Sequence, residues 1–240
     1  MIPAGHGWGL AILPLAAAVM AGALSIRLLE RFVRRRRAHE GTWALALAMF
    51  AVASAAMAHG VARGWSATDF RLYWLFGAVL NVPFLFAGEV YLLARRRLVA
   101  HAVMALTVLA SIYAGIVVWT ADEAAGRLAT VLPLGKDVFG QTLAHGLAQV
   151  YGNGAYFLLL AGLLWSAWRL KGRPDLRGQL VGVLLIAVGA SVVAVGSGIG
   201  AAFHLVPVFT IGLAAGVAVM FAGFVAASRP RAAPARPSVD

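Results

Sequence analysis

Polar side chains recur along one apolar stretch of the sequence, "QTLAHGLAQVYGNGAYF", residues 141–157. His145, Gln149 and Asn153 follow one another at intervals of four residues, and Tyr156 comes three residues later. This spacing places all four on one face of an α-helix, where they offer hydrogen bonds to a polar ligand. Within a bilayer such groups must face protein or water, because hydrocarbon provides no partner. The stripe predicts either the wall of a polar cavity or a hydrogen-bonded seam between helices.

A carboxylate lies in a second apolar stretch, "NVPFLFAGEV", which runs from Asn81 to Val90. An ionisable group inside a membrane helix predicts a site for a proton, a cation or an amine. The structural alternative is that Glu89 pairs with Arg96, seven residues later on nearly the same helical face. Asn81 either contributes to the polar cavity or forms a hydrogen bond to a neighbouring helix. Pro83 predicts a kink in the helix just after Asn81.

Three histidines lie at the same predicted depth of the membrane: His59, His145 and His204. Imidazole binds haem iron and transition metals and relays protons, so the three are candidate metal ligands or a proton or ligand site. The alternative is that they are ordinary interfacial histidines, since no paired metal-binding spacing accompanies them. A retinal Schiff base is excluded, because the two lysines, Lys136 and Lys171, lie in predicted loops.

Seven apolar segments, named spans 1 to 7, carry these residues. The chain is 62% hydrophobic and 12% charged, with a mean hydropathy of +0.85, whereas about a quarter of the residues of a soluble domain are charged. Each segment is long enough to cross a hydrocarbon core of about 30 Å as a helix. All seven tryptophans lie near segment ends, which predicts rings at the headgroup level. The segments are residues 8–28, 42–63, 71–94, 98–120, 141–168, 178–200 and 204–227.

The basic residues predict the orientation of the spans. Sixteen of the 20 lysines and arginines lie in one alternate set of connections and in the C-terminal tail, and four lie in the other set. By the positive-inside rule the N-terminus lies outside and the C-terminus in the cytoplasm, in a cytoplasmic (inner) membrane. The net charge of +11 then meets anionic lipid headgroups of the inner leaflet and does not indicate nucleic acid. The basic, Pro- and Ala-rich tail, residues 228–240, is predicted to be disordered.

Glycines at helical spacing mark spans 6 and 7. Small residues on one face let membrane helices approach closely, so the two spans are predicted to form a tight hairpin. The alternative is a seam for a second copy of the chain or for another membrane protein. The glycines are Gly182, Gly189, Gly196 and Gly200 in span 6, and Gly212, Gly216 and Gly223 in span 7.

The stretches "YWLFGAVLNVPFLFAGEVYLLARRR", "LPLGKDVFG" and "GVAVMFAGFVAA" resemble polytopic membrane proteins of GC-rich bacteria. These proteins are uncharacterised, so the resemblance implies the membrane architecture and no activity.

The sequence therefore predicts an all-α, seven-transmembrane-helix bundle that forms one domain over residues 1–227. The leading functional hypothesis is non-enzymatic transport or sensing of a small solute, ion or lipid in a cavity open to the outer side. Its candidate residues are Asn81, Glu89, His145, Gln149, Asn153 and Tyr156. The alternatives are a haem- or metal-binding redox subunit that uses the outer histidines, and a scaffold that binds partners through spans 6 and 7. The sequence contains none of the common hydrolase or phosphate-loop motifs.

Overall fold

The computed structural model describes residues 6–124, 126, 128, 132–203 and 205–227, without the side chains of residues 6–8 and 174. The described part of the chain is helical and contains no strands. The α-helices are α1 (His6–Arg35), α2 (Ala38–Arg63), α3 (Ala67–Leu72), α4 (Asn81–Leu93), α5 (Arg97–Thr120), α6 (Gly135–Val138), α7 (Leu143–Leu147), α8 (Asn153–Leu170), α9 (Arg177–Ala202) and α10 (Val206–Ala227). The remaining helical elements are two π-helical stretches, Tyr73–Leu80 and Ala148–Gly152, and a 3-10 turn, Pro174–Leu176.

Seven of the resulting rods are long and apolar enough to cross a membrane, which confirms the number of predicted spans. Spans 1, 2, 4, 6 and 7 are α1, α2, α5, α9 and α10. Span 3 is Ala67–Leu93 and span 5 is Leu143–Leu170. The first helix continues to Arg35, because the basic stretch after the apolar segment keeps its helical conformation. The architecture is that of a multi-pass membrane protein.

Spans 3 and 5 each contain a π-helical stretch. In span 3 the change back to α-helix comes at Asn81, so Pro83 lies in the first turn of α4. Because the π-helical stretch runs directly into α4, Pro83 lies inside a continuous helix, and its missing N–H removes one backbone hydrogen bond near the change from π- to α-helix. In span 5 the corresponding change comes at Asn153. The two stretches contact each other, and Gly152 lies against the carbonyl oxygen of Ala78.

Six of the spans form a closed ring. Its order is 1, 2, 3, 5, 6, 7, with each span packed against the next and span 7 packed back on span 1. Span 4 lies outside the ring, where it contacts spans 3 and 5. Most of its large apolar side chains are exposed, as expected for a helix that faces lipid; they include Leu106, Leu109, Ile112 and Ile116. The axis of the ring is therefore lined by spans 1, 2, 3, 5, 6 and 7.

The predicted glycine hairpin of spans 6 and 7 is confirmed. Gly196 faces Gly212, Gly189 faces the backbone at Gly216, and Gly182 faces the backbone at Gly223. The glycine faces of the two helices are thus packed against each other, where backbone contact replaces side-chain contact. A partner of these spans, which stays a prediction, would have to use their other faces.

The tryptophans near the span ends differ in burial, while their position at the headgroup level stays a prediction. Trp65 and Trp74 are buried in the helix packing, and Trp43 is half-buried between spans. Trp119, Trp165 and Trp168 are exposed. The inward tryptophans find hydrogen-bond or ring partners among neighbouring helices, so position near a span end did not determine the direction of the side chain.

The hairpin is tested by adding one methyl group. A Cβ at Gly196 would lie 2.7 Å from the Cα of Gly212, so Gly196→Ala forces the backbones apart. We expect it to destabilise the protein by about 1–3 kcal/mol, the usual cost of overpacking. Thermal unfolding in mild detergent measures the change.

The matched control is Gly198→Ala in the same helix, because a Cβ there has no neighbour within 4 Å. We expect an unchanged or higher unfolding midpoint, since alanine favours the helix by up to about 1 kcal/mol over glycine. Equal midpoints for the two variants would contradict the backbone contact.

Candidate functional site

A cavity of about 500 Å³ lies on the axis of the ring, and we call it the polar cavity. All six ring spans contribute to its wall, and its described lining contains no charged side chain. Apolar groups form most of the surface, and a few hydrogen-bonding groups interrupt it, as in many small-molecule sites. These groups are Ser54, Tyr73, Asn81, Gln149, Asn153, Tyr156 and Ser197. Four of the six candidate residues from the sequence are therefore brought together here.

Asn81 and Asn153 are positioned by the two π-helical stretches, since each is the first residue after one of them. Asn81 is buried, with 5% of its surface exposed, and its Oδ1 has no hydrogen-bond partner among the described residues. The predicted hydrogen bond to a neighbouring helix has the side-chain N–H group of Asn81 as its donor, so the unpartnered oxygen does not test it and it stays a prediction. An unsatisfied buried acceptor on a cavity wall is available to an N–H or O–H group of a ligand.

The span 5 stripe combines internal hydrogen bonds with an open surface. Asn153 Nδ2 donates to Gln149 Oε1 at 3.1 Å, yet both side chains are exposed in the cavity wall. Tyr156 donates its hydroxyl to Ser191 Oγ at 2.9 Å, which links span 5 to span 6. The two alternatives from the sequence, cavity wall and seam, are both realised along one helix face.

His145, the first residue of the span 5 stripe, does not line the polar cavity. Its ring stacks on Trp74 with centroids 5.9 Å apart, and the indole Nε1 of Trp74 donates to the carbonyl of Ala144 at 2.9 Å. His145 Nδ1 is buried without a partner among the described residues. The histidine therefore packs behind the wall that Trp74 provides.

A second cavity, of about 600 Å³, lies at the other end of the same axis. We call it the arginine cavity, because its rim carries Arg31, Arg35, Arg37, Arg169 and Arg173. All six ring spans again contribute to the wall, and the other ionisable groups are His39, Glu40 and Glu89. The two cavities thus differ sharply in charge.

Glu89 lies in the arginine cavity and not in the polar cavity. Its side chain is 2% exposed, and Ser166 Oγ donates to its Oε1 at 3.0 Å. Gly162 lies against Cγ of the side chain, where any larger residue would displace it. The predicted pairing with Arg96 is wrong, because α4 ends at Leu93 and Arg96 has extended backbone before α5.

Among the described residues, only three line both cavities: Leu85 of span 3, Leu159 of span 5 and Met220 of span 7. We call them the neck. Spans 3 and 7 lie on opposite sides of the ring, so Leu85 and Met220 approach the axis from opposite walls. Leu159 and Met220 are buried. The neck is an apolar layer between a neutral cavity and a cationic one.

Trp43 contacts the neck on the side that faces the arginine cavity. Its indole Nε1 donates to the carbonyl of Leu85 at 3.0 Å, and its ring packs edge-on against Phe224 with centroids 5.6 Å apart. One side chain of span 2 therefore connects spans 3 and 7 at this depth. A Cβ at Gly88 would collide with the same indole, so glycine is required for this contact.

The candidate metal ligands have separate surroundings. His59 Nδ1 lies 3.1 Å from Asp69 Oδ2, whereas His145 stacks on Trp74. His204 lies outside the described residues, and so does the tail at 228–240. The described residues include no group of three or more histidine and acidic side chains that could hold a metal ion.

Sequence reasoning missed the arginine cavity and the neck. The signal for the cavity was present, because Arg31 and Arg35, and likewise Arg169 and Arg173, are spaced by four residues. At the ends of spans the same residues also act as topology signals, which hides their role in a cavity. The neck carries no sequence signal, since Leu85, Leu159 and Met220 resemble any other apolar residue of a span.

Comparison with known protein families, curated proteins and solved structures finds no match to this chain.

The hydrogen bond of Trp43 leads to a stability prediction. Trp43→Phe removes the donor to Leu85 and is expected to destabilise the fold by about 1 kcal/mol, the usual value of an interhelical hydrogen bond in a membrane protein. Thermal unfolding in mild detergent measures the effect. Trp168→Phe is the control, because that ring is 65% exposed, and we expect no loss of stability from it. Equal stability of the two variants would contradict the role of Trp43.

Proposed function

We propose that this protein is a membrane transporter that carries a small solute along the axis of the ring, between the polar cavity and the arginine cavity. The observation that supports this most directly is that the cavities lie end to end and, in the part of the chain that the structure describes, share only Leu85, Leu159 and Met220. A transporter needs a site that is reached from each side in turn and a barrier between the two sides. A protein that only senses a solute from one side needs a single cavity.

In this proposal the polar cavity faces the outside and the arginine cavity faces the cytoplasm. The positive-inside rule supports this orientation, because the arginine cavity lies at the end with sixteen of the chain's 20 basic residues in its connections and tail. The protein is then a multi-pass protein of the cytoplasmic membrane, with its N-terminus outside.

The polar cavity selects its solute by neutral hydrogen bonding. Asn81 offers an unpartnered acceptor, and Gln149 and Asn153 present exposed amides on the adjacent span 5. A solute with N–H or O–H donors satisfies Asn81 and gains specificity, because an analogue without the donor leaves a buried oxygen unpaired. No covalent step is required of these residues.

The neck opens by rearrangement of a few side chains. Met220 has a flexible, unbranched side chain that adapts to different packing. Leu85 belongs to the span that contains the longer π-helical stretch, and such stretches often occur at functional sites. Movement of span 3 relative to span 7 would therefore widen or close the passage.

A single cysteine at the neck tests the passage. The natural chain has no cysteine, so Met220→Cys carries the only thiol. We expect a small, membrane-impermeant, anionic methanethiosulfonate to modify it both in right-side-out and in inverted membrane vesicles. The modified fraction is measured by mass spectrometry.

The control for this test is Ala218→Cys, on the exposed, lipid-facing side of the same helix. It should react from neither side, because a thiol in hydrocarbon stays protonated and the reagent does not enter. Modification of Met220→Cys from one side only would refute a passage and indicate a one-sided binding or sensing site.

Glu89 supplies a proton-linked carboxylate in this proposal. It lies four residues after Leu85, about 6 Å along the helix, so its charge acts directly on the neck. The groups that share its cavity are the five arginines, His39 and Glu40. A change in its protonation alters the balance of charge beside an apolar barrier, which favours one packing of the neck over another.

Modification rates of Met220→Cys at different pH values test this role. After correction for the ionisation of the thiol itself, we expect the rate to keep a pH dependence that disappears in Glu89→Gln. The same dependence should persist in His39→Gln, which removes the imidazole of this cavity. A dependence that is identical with and without Glu89 would exclude the carboxylate as the switch.

A further inference from the structure

The arginines of the arginine cavity face each other across the ring. Arg31 and Arg35 belong to span 1, and Arg169 belongs to span 5, with Arg173 just after it. In the ring order 1, 2, 3, 5, 6, 7, spans 1 and 5 are opposite each other. Arginine side chains therefore contribute positive charge to the cavity from two opposite walls.

Four of the five arginines have no ion-pair partner within the described part of the chain. Arg35, Arg37, Arg169 and Arg173 form no ion pair with any described carboxylate. Of the two acids in the cavity, Glu89 accepts a hydrogen bond from Ser166, and Glu40 is 5% exposed with an unpartnered Oε2. Five arginines against two carboxylates leave an excess of positive charge in the cavity.

Below the arginine rim the wall is largely apolar, apart from Glu89 and its hydrogen-bond partner Ser166. The apolar side chains toward the neck include Leu28, Leu163, Ile186 and Phe224. A ligand that fills this shape has an anionic head at the rim and a hydrocarbon part beneath it. Phosphate is the head group that suits the rim, because guanidinium groups bind its oxygens in pairs and keep their charge in any environment.

We infer that the arginine cavity binds the phosphate group of an amphipathic phosphate ester, with the arginine rim on the phosphate and the leucine-rich wall on the hydrocarbon chain. Basic pockets between membrane helices are known to bind lipid head groups in this way. The inference does not rest on transport, since the site would bind phosphate in a protein that moves nothing.

The test measures binding to the full-length protein, purified in dodecyl maltoside, by isothermal titration calorimetry. Two soluble probes distinguish the source of the phosphate: hexyl phosphate, which has a short chain, and inorganic phosphate, which has none. We expect hexyl phosphate to bind at least about tenfold more tightly, because its chain is buried on the apolar wall.

The variant Arg35→Gln/Arg37→Gln removes two rim charges. We expect it to bind hexyl phosphate roughly 30-fold more weakly, which corresponds to about 2 kcal/mol at about 1.4 kcal/mol per tenfold change. The matched control is Arg34→Gln/Arg36→Gln, which removes two charges from the same turn at residues that do not line the cavity. Both variants lose two basic residues from the same connection and so weaken the positive-inside signal equally. A difference between them in affinity for hexyl phosphate is therefore due to the cavity.

A second variant, Arg169→Gln/Arg173→Gln, removes charge from the opposite wall and should weaken binding to a similar extent. Loss of hexyl phosphate binding in both cavity variants, with weak binding of inorganic phosphate to the natural protein, supports a lipid phosphate. Equal affinity for the two probes, lost in the same variants, supports the phosphate site with a free phosphate as its ligand. Equal binding by cavity and control variants, or no binding by the natural protein, overturns the inference. These outcomes are separate from modification of Met220→Cys, which tests transport.

Discussion

A closed ring of six helices leaves space along its axis. The side chains that line this space decide where it stays open as a cavity and where it is closed. Packed helices lie about 8–10 Å apart, so opposite members of a regular six-membered ring are about 16–20 Å apart. Subtracting a helix diameter of about 10 Å leaves a channel some 6–10 Å wide. Large apolar side chains can close such a channel at one depth, and in this protein Leu85, Leu159 and Met220 do so.

The ring also decides where polar groups are tolerated. A polar side chain that faces lipid has no partner, whereas one that faces the axis has water or a ligand. The neutral amides of Asn81, Gln149 and Asn153 and the carboxylate of Glu89 all lie on this inner surface. Their separation by the neck divides the axis into a part that offers neutral hydrogen bonds and a part that offers charge.

Hydropathy predicted the seven spans well, because it follows directly from the energetics of a bilayer. The ring was not predictable in the same way. In a bilayer the surfaces that face lipid and the surfaces that face protein are both apolar, so periodicity does not identify the neighbours of a helix. Span 4 is as apolar as spans 1 and 7, yet it alone lies outside the ring.

The candidate site was predicted in part, for a related reason. Polar residues at helical spacing identified the face of span 5 that lines the cavity, since only a protected face tolerates them. The position of His145 depended on Trp74, whose inward direction has no sequence signal. The sequence predicts that Glu89 pairs with a residue of the same helix. The helix ends before that residue, at Ala94, and the partner of Glu89 is Ser166 of a neighbouring span.

Span 4 lies outside the ring and, along the chain, separates two sets of three ring spans. Three helices joined by short turns begin on one side of the membrane and end on the other, so a second set of three fused directly would be inserted upside down. One additional crossing restores the orientation, and spans 5, 6 and 7 then run in the same directions as spans 1, 2 and 3. The ring order, 1, 2, 3, 5, 6, 7, is the order that two such triplets adopt when a half-turn about the membrane normal relates them. Span 4 therefore connects the two halves of the ring so that their spans run in the same directions, and it lines no part of the axis.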